Sequence, residues 1–148
     1  MKNLLFLAII VFINLSISAQ KVQESVVPIS VKEAVAKMYS NPKIDKWEMK
    51  DGNYEATFMA GGVETSAWYA SDGKFIQYEY AITSSDVPEA AKNYIIKNFG
   101  DKKMTETTRI KTITGAVTYE IEVDGKDYLF DAAGNFLKQE DGKNEDEK

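Results

Sequence analysis

The sequence repeats itself after sixty residues, and no other feature restricts its fold as much. Val27-Pro28 recurs as Val87-Pro88, and each pair opens a segment with apolar residues at helical spacing. In the first copy these are Val31, Ala34, Val35, Met38 and Tyr39. In the second they are Ala91, Tyr94, Ile95, Asn98 and Phe99, where only Asn98 interrupts the stripe. Ser30 with Glu33 and Asp86 with Glu89 have the spacing of capping boxes, in which side chains satisfy amide donors left free in a first helical turn. Pro42 and Gly100 mark the helix ends.

After each helix the period of the apolar residues changes from 3.6 to 2. Trp47 to Lys50 and Tyr54 to Phe58 alternate apolar with polar on either side of Asp51-Gly52-Asn53. Arg109 to Thr112 and Tyr119 to Val123 do the same around Thr114-Gly115. Asp or Asn beside Gly makes tight hairpins, because these residues tolerate positive φ. Further turns fall at Gly61-Gly62, Asp72-Gly73, Asp124-Gly125 and Gly134-Asn135. The remaining strands carry Trp68-Tyr69 and Tyr128-Leu129-Phe130, then Phe75-Ile76 and Phe136-Leu137.

The pattern is two copies of one helix followed by four antiparallel strands, over residues 27–83 and 84–140. A unit of about sixty residues buries only about 60% of its unfolded surface and is marginal alone. The expectation is therefore an α+β fold in which two tandem α-β4 repeats share one antiparallel sheet of eight strands, with both helices on one face. Two small sheets side by side, joined near Ser84-Ser85, are the alternative.

The chain begins with an address. Met1-Lys2-Asn3 gives a positive end, Leu4 to Ile13 is an unbroken apolar run, and Ser16 to Ala19 supplies small residues. That is the layout of a secretory signal peptide over residues 1–19, too short in its core to span a membrane, which takes roughly 20 apolar residues. Its removal takes away Lys2 alone among charged groups, leaving 17 basic against 23 acidic side chains. Residues 20–26 read as a leader into the fold, and residues 141–148, without an apolar side chain, as a disordered acidic tail. The expected product is exported, periplasmic or extracellular, and free of the membrane. With no Cys it has no disulfides and must be stable through packing.

The chain also has no His. Without His and Cys, a Ser-His-Asp triad, a Cys nucleophile and an imidazole or thiolate zinc site are excluded within this chain. Its acidic balance argues against nucleic acid as a partner, since that contact needs clustered Lys and Arg. No cofactor or metal is expected.

Pro28 or Pro88 opening a helix, an aromatic at the helix end (Tyr39, Phe99), Tyr-Glu in a central strand, and the closing Phe-Asp-Ala-Ala-Gly-Asn-Phe-Leu at 130–137 together carry a resemblance. They resemble the PepSY-like repeats of secreted bacterial proteins, a group similar in fold to the β-lactamase inhibitory protein. The resemblance spans Val27 to Glu140 and is better in the second copy. The signal's Ser-Ala-Gln ending also looks like those of Bacteroidetes exports. What the resemblance implies is a non-catalytic, exported binding or inhibitory protein.

Among residues able to carry chemistry, Glu120 and Glu122 share a strand face, and Glu55 is the repeat counterpart of Glu120. Two carboxylates a few ångströms apart can hydrolyse glycosides, although a solvated strand face needs no such role. Asp72, Asp124 and Asp131 invite a calcium reading, but their spacing is not that of a calcium loop and turn chemistry accounts for each. Lys102, Lys103, Arg109 and Lys111 form a basic group that either steers an acidic partner or is simply hydrated.

The aromatic load is the more informative signal: eight Tyr, seven Phe and two Trp. Alternation turns Tyr69 toward the helices and Trp68 to the open face, where Leu129 is its counterpart. Tyr78 and Tyr80 share one face of the next strand, and a bulge near Asp72-Gly73 decides which. If they join Trp68, the open face carries an aromatic patch of the type that anchors protein interfaces. Trp68, Tyr78 and Tyr80 are accordingly the candidate partner-binding residues. The leading expectation is an exported, non-catalytic module that binds a protein through its open sheet face, inhibition of a peptidase or another envelope or secreted enzyme included. The alternatives are a small carboxylate-dependent hydrolase of glycans or envelope polymers, and a structural envelope component.

Overall fold

The computed structural model describes residues 19–141. The expected signal peptide and acidic tail lie outside the described residues, apart from Ala19 and Asp141.

Helix α1 (Ile29–Tyr39) is followed by strands β2 (Ile44–Lys50), β3 (Asn53–Ala60), β4 (Val63–Ala70) and β5 (Phe75–Ala81). Helix α2 (Glu89–Phe99) is followed by β6 (Glu106–Thr112), β7 (Val117–Val123), β8 (Lys126–Asp131) and β9 (Phe136–Asp141). Both helices have 11 residues and start sixty positions apart. The strands form one antiparallel sheet in chain order, and β5 pairs with β6 through Gln77↔Thr112 to Ala81↔Thr108. That pairing makes the sheet continuous across the repeats and removes the alternative of two separate sheets.

Two expectations are corrected here. The sheet has nine strands, because Gln20–Lys21 of the leader adds a short β1 beside β2, opposite Met49 and Glu48. Edge donors and acceptors on β2 that would otherwise face water thereby gain backbone partners. The last strand also reaches Asp141, which was expected in the tail. The second correction concerns the helix starts. Pro28 and Pro88 themselves occupy the N-cap positions, and no side chain caps either helix. Ser30 lies inside α1 and its hydroxyl donates to the Ser71 carbonyl across the fold. Asp86 instead closes a capping box with Thr83 around the short 3-10 turn that precedes α2.

Directly paired residues share a sheet face, so the core residues identify the helix side. Val27, Val31 and Val35 pack on Trp47, Ala56, Phe58, Ala67 and Tyr69 in the first core. Val87, Ala91 and Ile95 pack on Ile121, Val123, Tyr128 and Phe130 in the second. Equivalent positions exchange volume between copies: Ala67 answers to Tyr128, Phe58 to Val123, Ala56 to Ile121 and Val31 to Ala91. A close-packed interior permits such swaps only when the neighbours compensate.

Each helix is also braced at its start by the last hairpin of its own repeat. A Cβ on Gly73 would lie 2.6 Å from the Ser30 carbonyl oxygen, and one on Gly134 would lie 2.8 Å from the Ala91 nitrogen. Both glycines have positive φ, near 85°, so the turn and the close approach each require Gly.

Candidate functional site

The sheet face opposite the helices carries no covering element among the described residues. Its first half is centred on Trp68, flanked across the strands by Glu55 of β3 and Gln77 of β5. Glu48 lies opposite Glu55 and pairs with Lys46 at 2.9 Å, while the Gln77 amide donates to Glu79 at 2.8 Å. Glu48 and Glu55 are 6% and 4% exposed, low values for carboxylates on an outer face. Trp68 is half-buried, and its indole N–H is inaccessible and has no acceptor among the described residues. An unpaired buried donor costs roughly 1–3 kcal/mol. Trp47 has the same feature inside the first core, so the orphan donor alone does not mark a site.

The second half of this face is a field of carboxylates. Glu106, Glu122, Asp127 and Glu140 are successive partners across β6 to β9. The adjacent row is Thr108, Glu120, Leu129 and Lys138, which puts Leu129 at the position that Trp68 holds in the first copy. Thr105 donates to Glu122 at 2.6 Å, and Lys138 pairs with Glu140. The carboxylates singled out from the sequence, Glu55, Glu120 and Glu122, therefore all lie on the open face. They are spread along a sheet surface rather than gathered around one point.

Tyr78 and Tyr80 do not join Trp68. Between β4 and β5 the register slips by one residue at Ile76: Tyr69 faces Phe75, but Trp68 faces Gln77. Past that bulge Tyr78 pairs with Ala67 and Tyr80 with Thr65, which puts both tyrosines on the helix side. The same slip recurs in the second copy, where Phe130 faces Phe136 and Leu129 faces Lys138. An extra residue in one strand inverts every following side chain, because the strand period is two. The aromatic residues run as a line on the helix side instead: Tyr69 to Phe75 at 5.6 Å, Phe75 to Tyr78 at 6.2 Å and Tyr78 to Tyr80 at 5.8 Å between centroids.

Arg109 stands at the end of that line. Its guanidinium lies 6.0 Å from the Tyr80 and Tyr119 ring centroids and donates to the Tyr80 hydroxyl at 2.8 Å. That hydrogen bond holds its pKa above the usual arginine value. Lys111 follows two positions on, on the same face, opposite Tyr78. Lys102 is elsewhere, paired with Asp124 at the β7–β8 turn, so the basic residues of the sequence do not form one cluster. The turn aspartates are engaged locally. Asp72 accepts from the Lys74 amide and pairs with its ammonium, and Asp131 accepts from Ala133 and from Asn135. Among the described residues no group of acidic side chains is arranged to hold a metal ion, and no helix is long and apolar enough to cross a membrane.

Comparison with known proteins agrees with this architecture. A family model described as β-lactamase-inhibitor-like and PepSY-like matches residues 14–61 and 52–138. A protein of Bacteroides eggerthii described as periplasmic has 26% identity and a TM-score of 0.69, over 80% of this chain and 91% of that one. A DUF2874 family protein from Bacteroides uniformis has 20% identity and a TM-score of 0.67, over 77% and 88%. A β-lactamase-inhibitory-protein-like protein from Bacteroides fragilis has 22% identity and a TM-score of 0.60, over 80% and 89%. No curated protein matches the chain. The protein is thus an exported one, periplasmic or extracellular. With two α-β4 units on one sheet and a family match across most of its length, the chain belongs to the PepSY-like, β-lactamase-inhibitor-like family.

Proposed function

We propose that the protein is a non-catalytic binding module that docks a protein partner on its open sheet face, with Trp68 as the apolar anchor. The observation that carries this reading is the uncovered face itself: a nine-stranded platform with one large aromatic set among carboxylates. A half-buried indole surrounded by polar side chains has the make-up of an interface hot spot, an apolar ring within a polar rim. The acidic rows support a basic partner. Acidic side chains outnumber basic ones on this face, so a basic protein surface meets favourable potential and faster encounter. The inhibitory-protein-like description of the family and of the Bacteroides fragilis neighbour supports a secreted or envelope enzyme as the target.

The test is co-precipitation from periplasm and culture fluid with the wild type, Trp68→Ala and Glu122→Lys. Trp68→Ala should retain the fold and lose the captured partner, and Glu122→Lys should weaken capture most at low salt. Recovery of the same partners at equal strength by a folded Trp68→Ala would show that this face is not used. The hydrolase alternative would be favoured by turnover of a glycan panel that Glu120→Gln abolishes.

A further inference from the structure

The two helices do not pack on one another. α1 sits over β3 and β4, and the second core places α2 over β7 and β8. Four strand spacings of about 4.8 Å separate those positions, or ~19 Å, about twice the 8–10 Å between helices in contact. The strip left between them is floored by β5 and β6. Its half-buried helix-side residues are Tyr78, Tyr80, Arg109 and Lys111, with Phe75 and Tyr119 at its margins; Thr107, at its end, is buried and donates to the Ile82 carbonyl. None of the first four belongs to either core.

The charge of this strip is opposite to that of the protein. Among the described residues neither Arg109 nor Lys111 has a carboxylate within ion-pair distance, in a chain where acidic side chains are in excess. Arg109 occupies the place that Met49 has in the first copy: Met49 faces Tyr54 as Arg109 faces Tyr119. The packing of this site therefore accepts an apolar residue, and the repeat carries a cation there instead. The Arg109 Nε–H is inaccessible and has no acceptor among the described residues, while its guanidinium is oriented by Tyr80 and Tyr119.

We infer that this strip is a second docking site, on the sheet face opposite the one proposed above, for an extended acidic peptide. Arg109 and Lys111 are two residues apart on one strand, hence about 6.8 Å apart along it. An extended peptide presents alternate side chains at the same interval, so carboxylates at i and i+2 meet the two cations in register. The guanidinium fork holds one carboxylate in two parallel hydrogen bonds, the ammonium holds the next, and the tyrosine rings flank the chain.

The test is an NMR titration of the labelled protein with Glu-Thr-Glu-Thr-Glu-Thr, the Gln counterpart of that hexapeptide, and inorganic phosphate at matched ionic strength. The Glu peptide should move the amides of β5 and β6 around Tyr78, Tyr80, Arg109 and Lys111, leaving those of Glu48, Glu64 and Glu140 in place. The Gln peptide and phosphate should bind at least about tenfold more weakly. Arg109→Lys, which keeps the charge and loses the fork, and Lys111→Gln should each cost about tenfold in affinity. Lys111→Gln should leave the melting temperature unchanged, which separates lost binding from lost folding. No shift with the wild type, shifts confined to the open face, phosphate competing at parity, or full binding by Lys111→Gln would each overturn the inference. Because the two sites lie on opposite faces, loss of either leaves the other measurable.

Discussion

Replacing Gly134 by Ala tests how each helix is held to its sheet. Gly134 has φ +86, a conformation that costs an L-residue roughly 1–2 kcal/mol. The added Cβ would also meet the Ala91 nitrogen at 2.8 Å, the Pro88 Cβ at 3.0 Å and the Ala90 Cβ at 3.1 Å. These atoms belong to the first turn of α2 and its cap, so relief requires moving the helix start away from the β8–β9 hairpin. Overpacking of this kind costs roughly 1–3 kcal/mol. The two effects together predict a loss of about 2–5 kcal/mol. Gly115 supplies the control, with φ +85 and nothing within 4 Å of its Cβ position. Gly115→Ala should therefore cost the conformational part alone, about 1–2 kcal/mol. At about 4 °C per kcal/mol for a domain of this size, melting should fall by roughly 8–20 °C for Gly134→Ala and 4–8 °C for Gly115→Ala. Calorimetry or far-ultraviolet circular dichroism on both variants, with urea midpoints alongside, measures the difference. Equal losses in the two would refute the close approach, and the brace between hairpin and helix with it.

Gly73→Ala should behave like Gly134→Ala, because its Cβ would meet the Ser30 carbonyl; hydrogen exchange should rise first in α1 rather than α2. Trp68→Ala should cost only about 1–2 kcal/mol, since the ring is half-buried and outside both cores, well below the 3–5 kcal/mol of a core aromatic; urea unfolding checks it. Burial pushes the Tyr69 hydroxyl well above its usual pKa of 10, with Tyr39 adding to the effect. The unfolded chain then loses this proton first. Stability is fully present below pH ~10 and falls as pH rises above it, and Tyr69→Phe should flatten that alkaline loss in melts run beside absorbance titration at 295 nm. Asp131 runs the other way. Hydrogen bonds from Asn135 hold its carboxyl below the usual range, so its contribution is present above the unfolded pKa and fades as pH falls through the folded value. The acid limb of the stability profile should be shallower in Asp131→Ala.

Much of the fold was legible from local chemistry. Asp51-Gly52, Gly61-Gly62 and Asp124-Gly125 all have positive φ at both positions, as the tight hairpin turns read from the sequence require. The helices begin sixty residues apart because Val-Pro and the apolar stripe do. These features depend on neighbours within a few positions, which a single sequence contains. The helix starts were misjudged for the same local reason. Ser30 with Glu33 matches a capping spacing, yet the Ser30 hydroxyl finds its acceptor 41 residues away at Ser71.

The candidate site divides in the same way. Alternation alone assigns Trp68 to the face opposite Tyr69, and it places Glu55, Glu120 and Glu122 with Trp68. Tyr78 and Tyr80 could not be assigned so, because one unpaired residue at Ile76 inverts every side chain after it. Only the partner strand determines where that residue is left out. Arg109 and Lys111 read in sequence as two members of a basic run with Lys102. The tertiary structure gives Lys102 to Asp124 and leaves the other two between the helices, with no carboxylate among the described residues in ion-pair range. Turns, periods and the duplication are short-range properties, written residue by residue. The joining of the repeats through β5 and β6, the faces beyond a bulge and the spacing of the helices arise from contacts between distant segments, and folding had to bring those together before they existed.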